Sequence, residues 1–341
     1  MKKILFIGIL INILSTGFNN TLIAQAAEST EITGKLAQKF AAVITEANLK
    51  TRLYMIASDE FEGRNTGEPG QKMAAEYLKN FYIEKNIMSP LGENNYFQTI
   101  SKEHLRRNLK SSENVVAFIK GSEKPDEIVV ISAHYDHLGI DADGEIYNGA
   151  DDDGSGTVAV MAIAEAFQKA VEEGNGPKRS ILFLHVTGEE KGLLGSKYYA
   201  NFPIFPLENT VADLNIDMIG RSDEAHENNP NYVYLIGSNK LSTELHNLSE
   251  EMNNKFTKLN LDYKYNEESD PNRFYYRSDH YSFAKNNIPV IFYFNGTHEN
   301  YHRISDTPDK INYELLEKRT QLIFYTAWEI ANRENRITVD K

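Results

Sequence analysis

The sequence predicts an α/β protein, a single three-layer domain in which helices flank a mostly parallel central sheet. Short apolar runs of strand length alternate along the chain with longer stretches of helical spacing, which is the pattern of strand–helix–strand units. No stretch rich in Pro, Gly or Ser divides the chain after its first residues, and 341 residues can be accommodated in one large domain. We therefore expect one hydrophobic core rather than two.

The elements are predicted in the following order. An amphipathic helix is expected over residues 31–56, and a loop punctuated by Gly and Pro (58–70) leads into a helix over 71–82. A polar connection extends to about residue 113. Strands are then predicted at 114–119, 127–132, 180–186, 211–217, 232–236 and 288–294, and helices at 155–170, 192–200, 241–254 and 313–332.

The first 26 residues have the features of a secretory signal peptide. Two lysines precede an apolar run from Ile4 to Leu14, and the small residues Ala24 and Ala26 suit signal peptidase. Because the run is shorter than the ~20 residues that span a bilayer, cleavage is favoured over the alternative of an uncleaved anchor. We expect a mature domain over residues 27–341, exported to the periplasm or exterior of a bacterium and not inserted in the membrane.

Composition narrows the chemistry. The chain has no cysteine, which excludes disulfides, thiol catalysis and thiolate metal sites, so any metal must be bound by His and carboxylate side chains. A formal net charge of −13 argues against a nucleic-acid partner, which would require a basic surface.

Histidine and acidic residues follow several predicted strands, where open α/β sheets form their ligand crevices. His134 and Asp136 come just after the strand at 127–132 and lie two residues apart, on one face of an extended chain. Asp136 could therefore fix the tautomer of a metal-bound His134. Taken alone, a polar strand end is more often a solvated turn.

Three consecutive carboxylates, Asp151, Asp152 and Asp153, precede the helix at 155–170. One such Asp is explained by helix capping. Three adjacent carboxylates repel one another unless a cation or several hydrogen bonds compensate them. A divalent metal would do so.

Glu189 and Glu190 follow the strand at 180–186. Adjacent side chains on extended backbone point opposite ways, so one carboxylate can bind metal while the other exchanges protons with a substrate. Asp217 ends an apolar strand, where an unpaired carboxylate is costly. His302 lies in a loop and is significant only together with the other four clusters.

Six motifs resemble, in order, those of the co-catalytic zinc aminopeptidases, metallopeptidase family 28. They are SAHYDHLG, NGADDDGSGT, TGEEKGLLGS, NIDMIGR, RSDHYSF and YHRISDTPDKIN, and the similarity covers about residues 50–330. The resemblance implies a phosphorylase/hydrolase-like zinc exopeptidase fold. The short segment between motifs leaves no room for the inserted protease-associated domain that some relatives carry. The resemblance also implies peptide substrates with a free N-terminus.

The resemblance further implies two zinc ions. His134 and Asp217 would bind one ion, Glu190 and His302 the other, and Asp151 would bridge them. A cis peptide bond is expected between Asp151 and Asp152. Manganese or cobalt would also suit these oxygen and nitrogen ligands.

Other roles follow from the same resemblance. Glu189 is expected to be the general base and Asp136 to orient His134. Asp152, Asp279 and His280 are expected beside the ligands rather than among them, and Tyr275 is a candidate oxyanion donor.

Three alternatives remain open at this stage: a single-zinc acyltransferase like glutaminyl cyclase, a carboxypeptidase, and a non-catalytic binding module. A carboxypeptidase would grip a terminal carboxylate with arginines such as Arg221 and Arg277, which lie beside motifs. The complete set of candidate ligands and the Gly-Glu-Glu sequence favour a two-metal hydrolase.

Overall fold

The computed structural model describes residues 34–105 and 108–341, and it confirms the predicted α/β architecture. The strands are β1 (Phe97–Ile100), β2 (Ser112–Ile119), β3 (Lys124–His134), β4 (Gly139–Ile140), β5 (Ile146–Tyr147), β6 (Arg179–Val186), β7 (Thr210–Ile216), β8 (Tyr232–Ile236), β9 (Asn260–Asp262) and β10 (Val290–Phe294). The helices are α1 (34–41), α2 (Glu46–Ile56), α3 (Pro69–Glu84), α4 (Gly156–Glu172), α5 (Leu194–Asn201), α6 (Thr243–Met252), α7 (Tyr281–Ala284) and α8 (Tyr313–Asn332).

Eight of the strands form one mixed sheet in the order β1-β2-β6-β3-β7-β10-β8-β9. Its centre, β6-β3-β7-β10, is parallel, and β2 and β8 pair antiparallel to the two sides of this centre. The carboxyl ends of the four central strands therefore meet at one edge of the sheet, where ligand sites form in such folds. Strands β4 and β5 form a separate hairpin.

Both faces of the sheet are buried, which gives the three layers. On β3, Val129 and Ile131 belong to the core on one face, whereas Ile128 and Val130 belong to the core on the other. Helices α2, α4 and α8 pack together over the first face. Because side chains alternate along a strand, central strands buried on both faces are almost continuously apolar, and this made them predictable.

The predicted helix over 31–56 is two helices in the described residues, α1 and α2. Thr45 separates them with an extended backbone (φ −130°, ψ 150°), and its side chain accepts a hydrogen bond from the backbone N–H of Asn48. A threonine cap of this kind begins a new helix. Strands β1 and β9 and helix α7 were not predicted, because three or four residues carry too little periodicity.

The predicted signal peptide, residues 1–26, lies outside the described residues. Within the described ranges, no helix is both long and apolar enough to cross a bilayer.

A buried histidine on β6 makes stability depend on pH. His185 is fully buried, and its Nε2 lies 2.6 Å from the hydroxyl of Tyr82. Burial lowers the pKa of His185 to about 3. The unfolded chain takes up this proton near pH 6.5, whereas the folded protein does so only near pH 3, so stability is lost as the pH falls below about 6.5.

We expect this histidine to cost the metal-free protein about 2 kcal/mol of unfolding free energy between pH 7 and pH 5. A His185→Gln variant should lack this loss, because Gln has no proton to take up. Urea unfolding of both proteins at pH 5, 6 and 7 measures the difference. His104→Gln, which replaces an exposed histidine, should follow the wild-type pH dependence. Parallel curves for wild type and His185→Gln would contradict the prediction.

Candidate metal centre

Four of the five predicted ligands converge with Asp152 at the carboxyl edge of the central strands. His134 is the last residue of β3, Glu190 follows β6, and Asp217 follows β7. Asp152 lies in the turn before α4, and His302 lies in the loop between β10 and α8. Residues far apart in sequence meet here because parallel strands all end at this edge.

The carboxylate of Asp152 lies between two histidines. Its Oδ1 is 3.2 Å from Nε2 of His134, and its Oδ2 is 3.0 Å from Nε2 of His302. On the first side, Nε2 of His134 is 3.6 Å from Oδ1 of Asp217. On the second side, Nε2 of His302 is 3.3 Å from Oε2 of Glu190. The centre thus consists of two groups of candidate ligand atoms on either side of one carboxylate.

Asp151 does not occupy the position expected for it. Its Oδ1 accepts a 2.6 Å hydrogen bond from the backbone N–H of Gly220, and its Oδ2 lies 3.1 Å from Nε2 of His298. The shared carboxylate belongs to Asp152, which was expected beside the ligands. The cis peptide bond is likewise one residue later, between Asp152 and Asp153. Neighbouring side chains point in different directions, so an offset of one residue changes which carboxylate enters the centre.

The turn around Asp152 is held from both sides. The carboxylate of Asp306 accepts hydrogen bonds from the backbone N–H groups of Asp151 (3.0 Å) and Asp152 (3.2 Å). The Oδ1 of Asp153 accepts hydrogen bonds from the backbone N–H groups of Gly156 (2.8 Å) and Met218 (3.1 Å). Burial and the nearby Asp151 raise the pKa of Asp306 to about 6. These bonds fix the loop without using the Asp152 carboxylate.

A buried arginine supports the same region. The guanidinium of Arg64 donates to the carbonyls of Tyr135 and Asn148 at 2.8 and 2.6 Å, and also to those of Ile56 and Gly149. Its side chain is fully buried. No pattern in the sequence indicates this role, because Arg64 lies in a segment of mixed polarity and its side chain bonds only to backbone.

The electrostatics of the centre favour positive charge. Burial acts to lower the pKa of His134, but Asp217 and Asp152 outweigh it and raise the pKa well above the usual range. Burial acts to raise the pKa of Asp152, but His134 and His302 hold that pKa well below its usual range. The pKa of His302 is raised to about 10, against the effect of burial, by Asp152 and Glu190. A cation at this place is stabilised by the same carboxylates.

The residues fit a metal such as zinc. The donors are imidazole nitrogens and carboxylate oxygens, the ligands that zinc takes when no cysteine is present. Two groups place their ligand atoms within 4.8 Å of one another, namely His134, Asp153 and Asp217, and His137, Asp152 and Glu190. Buried oxygens on Asp153 and Glu190 have no hydrogen-bond partner within the described residues. Such groups are costly unless a cation or another partner compensates them.

Glu189 faces a pocket beside this centre. Burial raises its pKa well above the usual range, with Asp217, Asp279 and Glu190 adding to that effect against His134. The pocket is lined by Glu189, Asp152, Asp217 and His302 together with Met218, Phe274, Arg277, Phe292, Phe294, Thr297 and Tyr301. A carboxylate and the candidate ligands therefore share one mixed polar and aromatic cavity.

Asp136 contacts both His134 and Glu189, but its side chain does not orient His134 as predicted. Nδ1 of His134 lies 3.0 Å from the main-chain oxygen of Asp136 and 3.9 Å from its carboxylate. The carboxylate instead accepts hydrogen bonds from the Thr66 hydroxyl (2.7 Å) and from the backbone N–H of Glu189 (3.1 Å). The backbone of Asp136 therefore orients the imidazole, and its side chain positions Glu189.

Tyr275 lies away from the centre. It lines a separate cavity, where Nζ of Lys240 is 4.9 Å from its ring. The tyrosine that lines the metal pocket is Tyr301, whose ring stacks on His302 with centroids 3.9 Å apart. Sequence reasoning missed Tyr301, although its position directly before a predicted ligand was a usable signal.

Asp279 and His280 are fully buried. The hydrogen bond to a candidate ligand comes from the preceding residue, because the hydroxyl of Ser278 donates to Oδ2 of Asp217 at 2.6 Å. Burial raises the pKa of Asp279 to about 7 and lowers that of His280 to about 3.

Comparison with curated proteins gives partial matches. The chain is 38% identical over 114 residues to a protein of Pyricularia oryzae described as a probable zinc metalloprotease, covering 32% of this chain and 21% of that protein. It is 25% identical over 308 residues to leupeptin-inactivating enzyme 1 of Streptomyces exfoliatus, covering 83% of this chain and 61% of that protein. The chain thus spans only about a quarter of the length of several fungal relatives.

Solved structures share the fold. The Legionella pneumophila LapA aminopeptidase matches with a TM-score of 0.68 at 22% identity, covering 90% of this chain and 75% of that one. An aminopeptidase from Aneurinibacillus sp. strain AM-1 matches with a TM-score of 0.65 at 15% identity, covering 89% and 98%. The model of Peptidase family M28 matches residues 114–327, more than half of the chain and all of its candidate ligands. The chain belongs to Peptidase family M28.

Proposed function

We propose that this protein is an exported two-zinc aminopeptidase that removes N-terminal residues from peptides. The observation that supports this most strongly is the carboxylate of Asp152, which has one oxygen near His134 and the other near His302. A carboxylate with a histidine near each oxygen is the arrangement expected of a bridge between two ions. It favours two metals over the single zinc of a glutaminyl cyclase-like acyltransferase.

In this proposal His134 and Asp217 hold one ion, Glu190 and His302 hold the other, and Asp152 is shared. Zinc, when bound, supplies Lewis acidity, which polarises a carbonyl and lowers the pKa of water. Manganese or cobalt would suit the same donors.

Glu189 is the proposed general base. It lines the pocket with Asp152 and Asp217, and the hydrogen bond from its backbone N–H to Asp136 fixes its position. A pKa raised by burial makes its carboxylate a stronger proton acceptor than an exposed glutamate. It can take a proton from the attacking water and then deliver it to the leaving amine.

Tyr301 is the proposed oxyanion donor in place of Tyr275. It lines the pocket next to His302, and burial raises its pKa, so its hydroxyl keeps the proton at neutral pH. A phenol O–H near the scissile carbonyl can donate a hydrogen bond to the developing negative charge.

The charge of the pocket supports recognition of a free amine. Three of its lining residues are carboxylates, Asp152, Glu189 and Asp217. A carboxypeptidase would need cations that converge on a terminal carboxylate. Arg277 lines the pocket, whereas Arg221 donates to Asn300 and is not among the lining residues, so these two arginines do not converge on the pocket. The aminopeptidases that share the fold are consistent with this choice.

Export is supported by the predicted signal peptide over residues 1–26. The mature protein would then be the domain over 27–341, acting on peptides outside the cytoplasm.

The identity of the shared carboxylate can be tested by counting metal. We expect two zinc, manganese or cobalt ions per chain in the wild type and at most one in Asp152→Asn, which lacks the bridging charge. Asp151→Asn is the matched control and should keep two ions, since Asn still offers an oxygen to Gly220. Elemental analysis after gel filtration gives the counts. Loss of metal from Asp151→Asn alone would reverse the assignment.

The activity can be tested with leucine p-nitroanilide. We expect hydrolysis that a chelator abolishes, and no hydrolysis of the N-acetylated substrate, because acetylation removes the charge of the amine. Glu189→Gln should lower kcat by about 10²–10⁴-fold while keeping both ions, since Gln cannot accept the proton.

Glu208→Gln is the control and should retain wild-type kcat, because Glu208 is exposed and precedes β7, at the opposite end of that strand from Asp217. Equal hydrolysis of the free and acetylated substrates would contradict aminopeptidase action. Full activity of Glu189→Gln would remove Glu189 as the base.

A further inference from the structure

One histidine has no role in the proposed two-zinc site, although its ligand atoms lie close to those of Asp152 and Glu190. His137 follows β3, and its backbone N–H donates to the carbonyl of Arg64 at 3.1 Å. The ring packs against Gly149, where an added Cβ would lie 2.5 Å from the ring carbons. Gly149 (φ +55°) therefore leaves room for the imidazole, and backbone on two sides fixes its orientation.

The nitrogens of this ring are buried without hydrogen-bond partners. His137 is fully buried, and neither Nδ1 nor Nε2 makes a hydrogen bond within residues 34–105 and 108–341. Two other buried histidines of the described chain are engaged, His185 with Tyr82 and His226 with Asp223. His280 shares the lack of hydrogen-bond partners, but its ring stacks on Phe292, whereas His137 faces carboxylates. An imidazole with two unpaired buried nitrogens is unfavourable unless another partner binds one of them.

The ring points at two candidate ligands. Nδ1 of His137 lies 2.9 Å from Oε1 of Glu190 and 3.9 Å from Oδ2 of Asp152, and its ring lies edge-on to that of His302. The contact with Glu190 is short, yet it lacks the direction of an N–H···O hydrogen bond. A nitrogen lone pair and a carboxylate oxygen at this distance are brought together naturally when both face one cation.

The spacing agrees with a shared ion. Ligands about 2.0–2.1 Å from a tetrahedral zinc are about 3.3 Å from one another. The pairs around the second position measure 3.0 Å (His302 to Asp152) and 3.3 Å (His302 to Glu190). The distances from Nδ1 of His137 to Glu190 (2.9 Å) and to Asp152 (3.9 Å) fall below and above this ligand–ligand separation of about 3.3 Å.

We propose that His137 is a further metal ligand, binding through Nδ1 the ion that is also held by Asp152, Glu190 and His302. This inference rests on the proposed two-metal centre. The two ions would then have unequal protein ligands: two imidazoles for the second ion, and one, His134, for the first. The second ion would be held more tightly, and a chelator would remove the first ion first.

The competing interpretation is that His137 only donates a hydrogen bond to Glu190. His137→Gln separates the two roles, because Gln retains an N–H donor but is a poor zinc ligand. His185→Gln is the matched control, since it replaces an equally buried histidine that is bonded to Tyr82. Thermal unfolding of the metal-free proteins shows whether each variant folds.

Zinc X-ray absorption of the wild type is expected to show three imidazoles over two ions, and two imidazoles in His137→Gln. Competition with a chelator should show that the affinity for the tighter ion falls at least about 100-fold in His137→Gln, which is more than the loss of a supporting contact causes. The affinity should be unchanged in His185→Gln.

A wild-type count of two imidazoles over two ions, or unchanged zinc affinity in His137→Gln, would overturn the proposal. If His137→Gln does not fold, the wild-type count decides. A wild type with fewer than two ions would instead refute the two-metal centre itself.

Discussion

The candidate metal centre at the carboxyl edge of the sheet depends on one buried carboxylate that lies between two imidazoles. Asp152 has an oxygen 3.2 Å from His134 and another 3.0 Å from His302, and Asp217 and Glu190 approach the same histidines from opposite sides. Burying this many carboxylates together is unfavourable unless positive charge accompanies them. The site is therefore organised for cations, and the surrounding fold must keep the acidic groups together against their repulsion.

Hydrogen bonds to backbone groups hold the acidic residues together against their mutual repulsion. Asp306 holds the N–H groups of Asp151 and Asp152, and Asp151 reaches Gly220, three residues after Asp217. Arg64 binds four carbonyls on segments that precede the Asp152 turn in the chain. The carboxylates of Asp306 and Asp151 thus accept hydrogen bonds from backbone N–H groups of the loops that carry the candidate ligands. Stability and function are coupled, because the same bonds that close the fold also place the ligand atoms.

The pocket beside the centre combines two kinds of surface. Carboxylates lie at its metal side, and aromatic residues such as Phe274 and Phe294 line it together with Arg277. The guanidinium of Arg277 stacks over Phe274 at 4.9 Å from the ring centroid, and both residues line the pocket. A ligand in this pocket would thus meet both apolar and charged groups, as is typical of small-molecule sites.

The sequence by itself determined the central strands of the sheet and the chemistry at their carboxyl ends. Strands such as β3 and β6 are buried on both faces and so are continuously apolar, and residues directly after such strands must lie at the carboxyl edge. His134, Glu189, Glu190 and Asp217 were therefore assigned to one place correctly. Which of three consecutive aspartates enters the centre was decided only by the tertiary structure, because Asp151 and Asp152 differ in direction and not in sequence pattern. The same holds for Tyr301 rather than Tyr275, and for the position of His137, since loop conformation and packing against Gly149 leave no periodic signal in the chain.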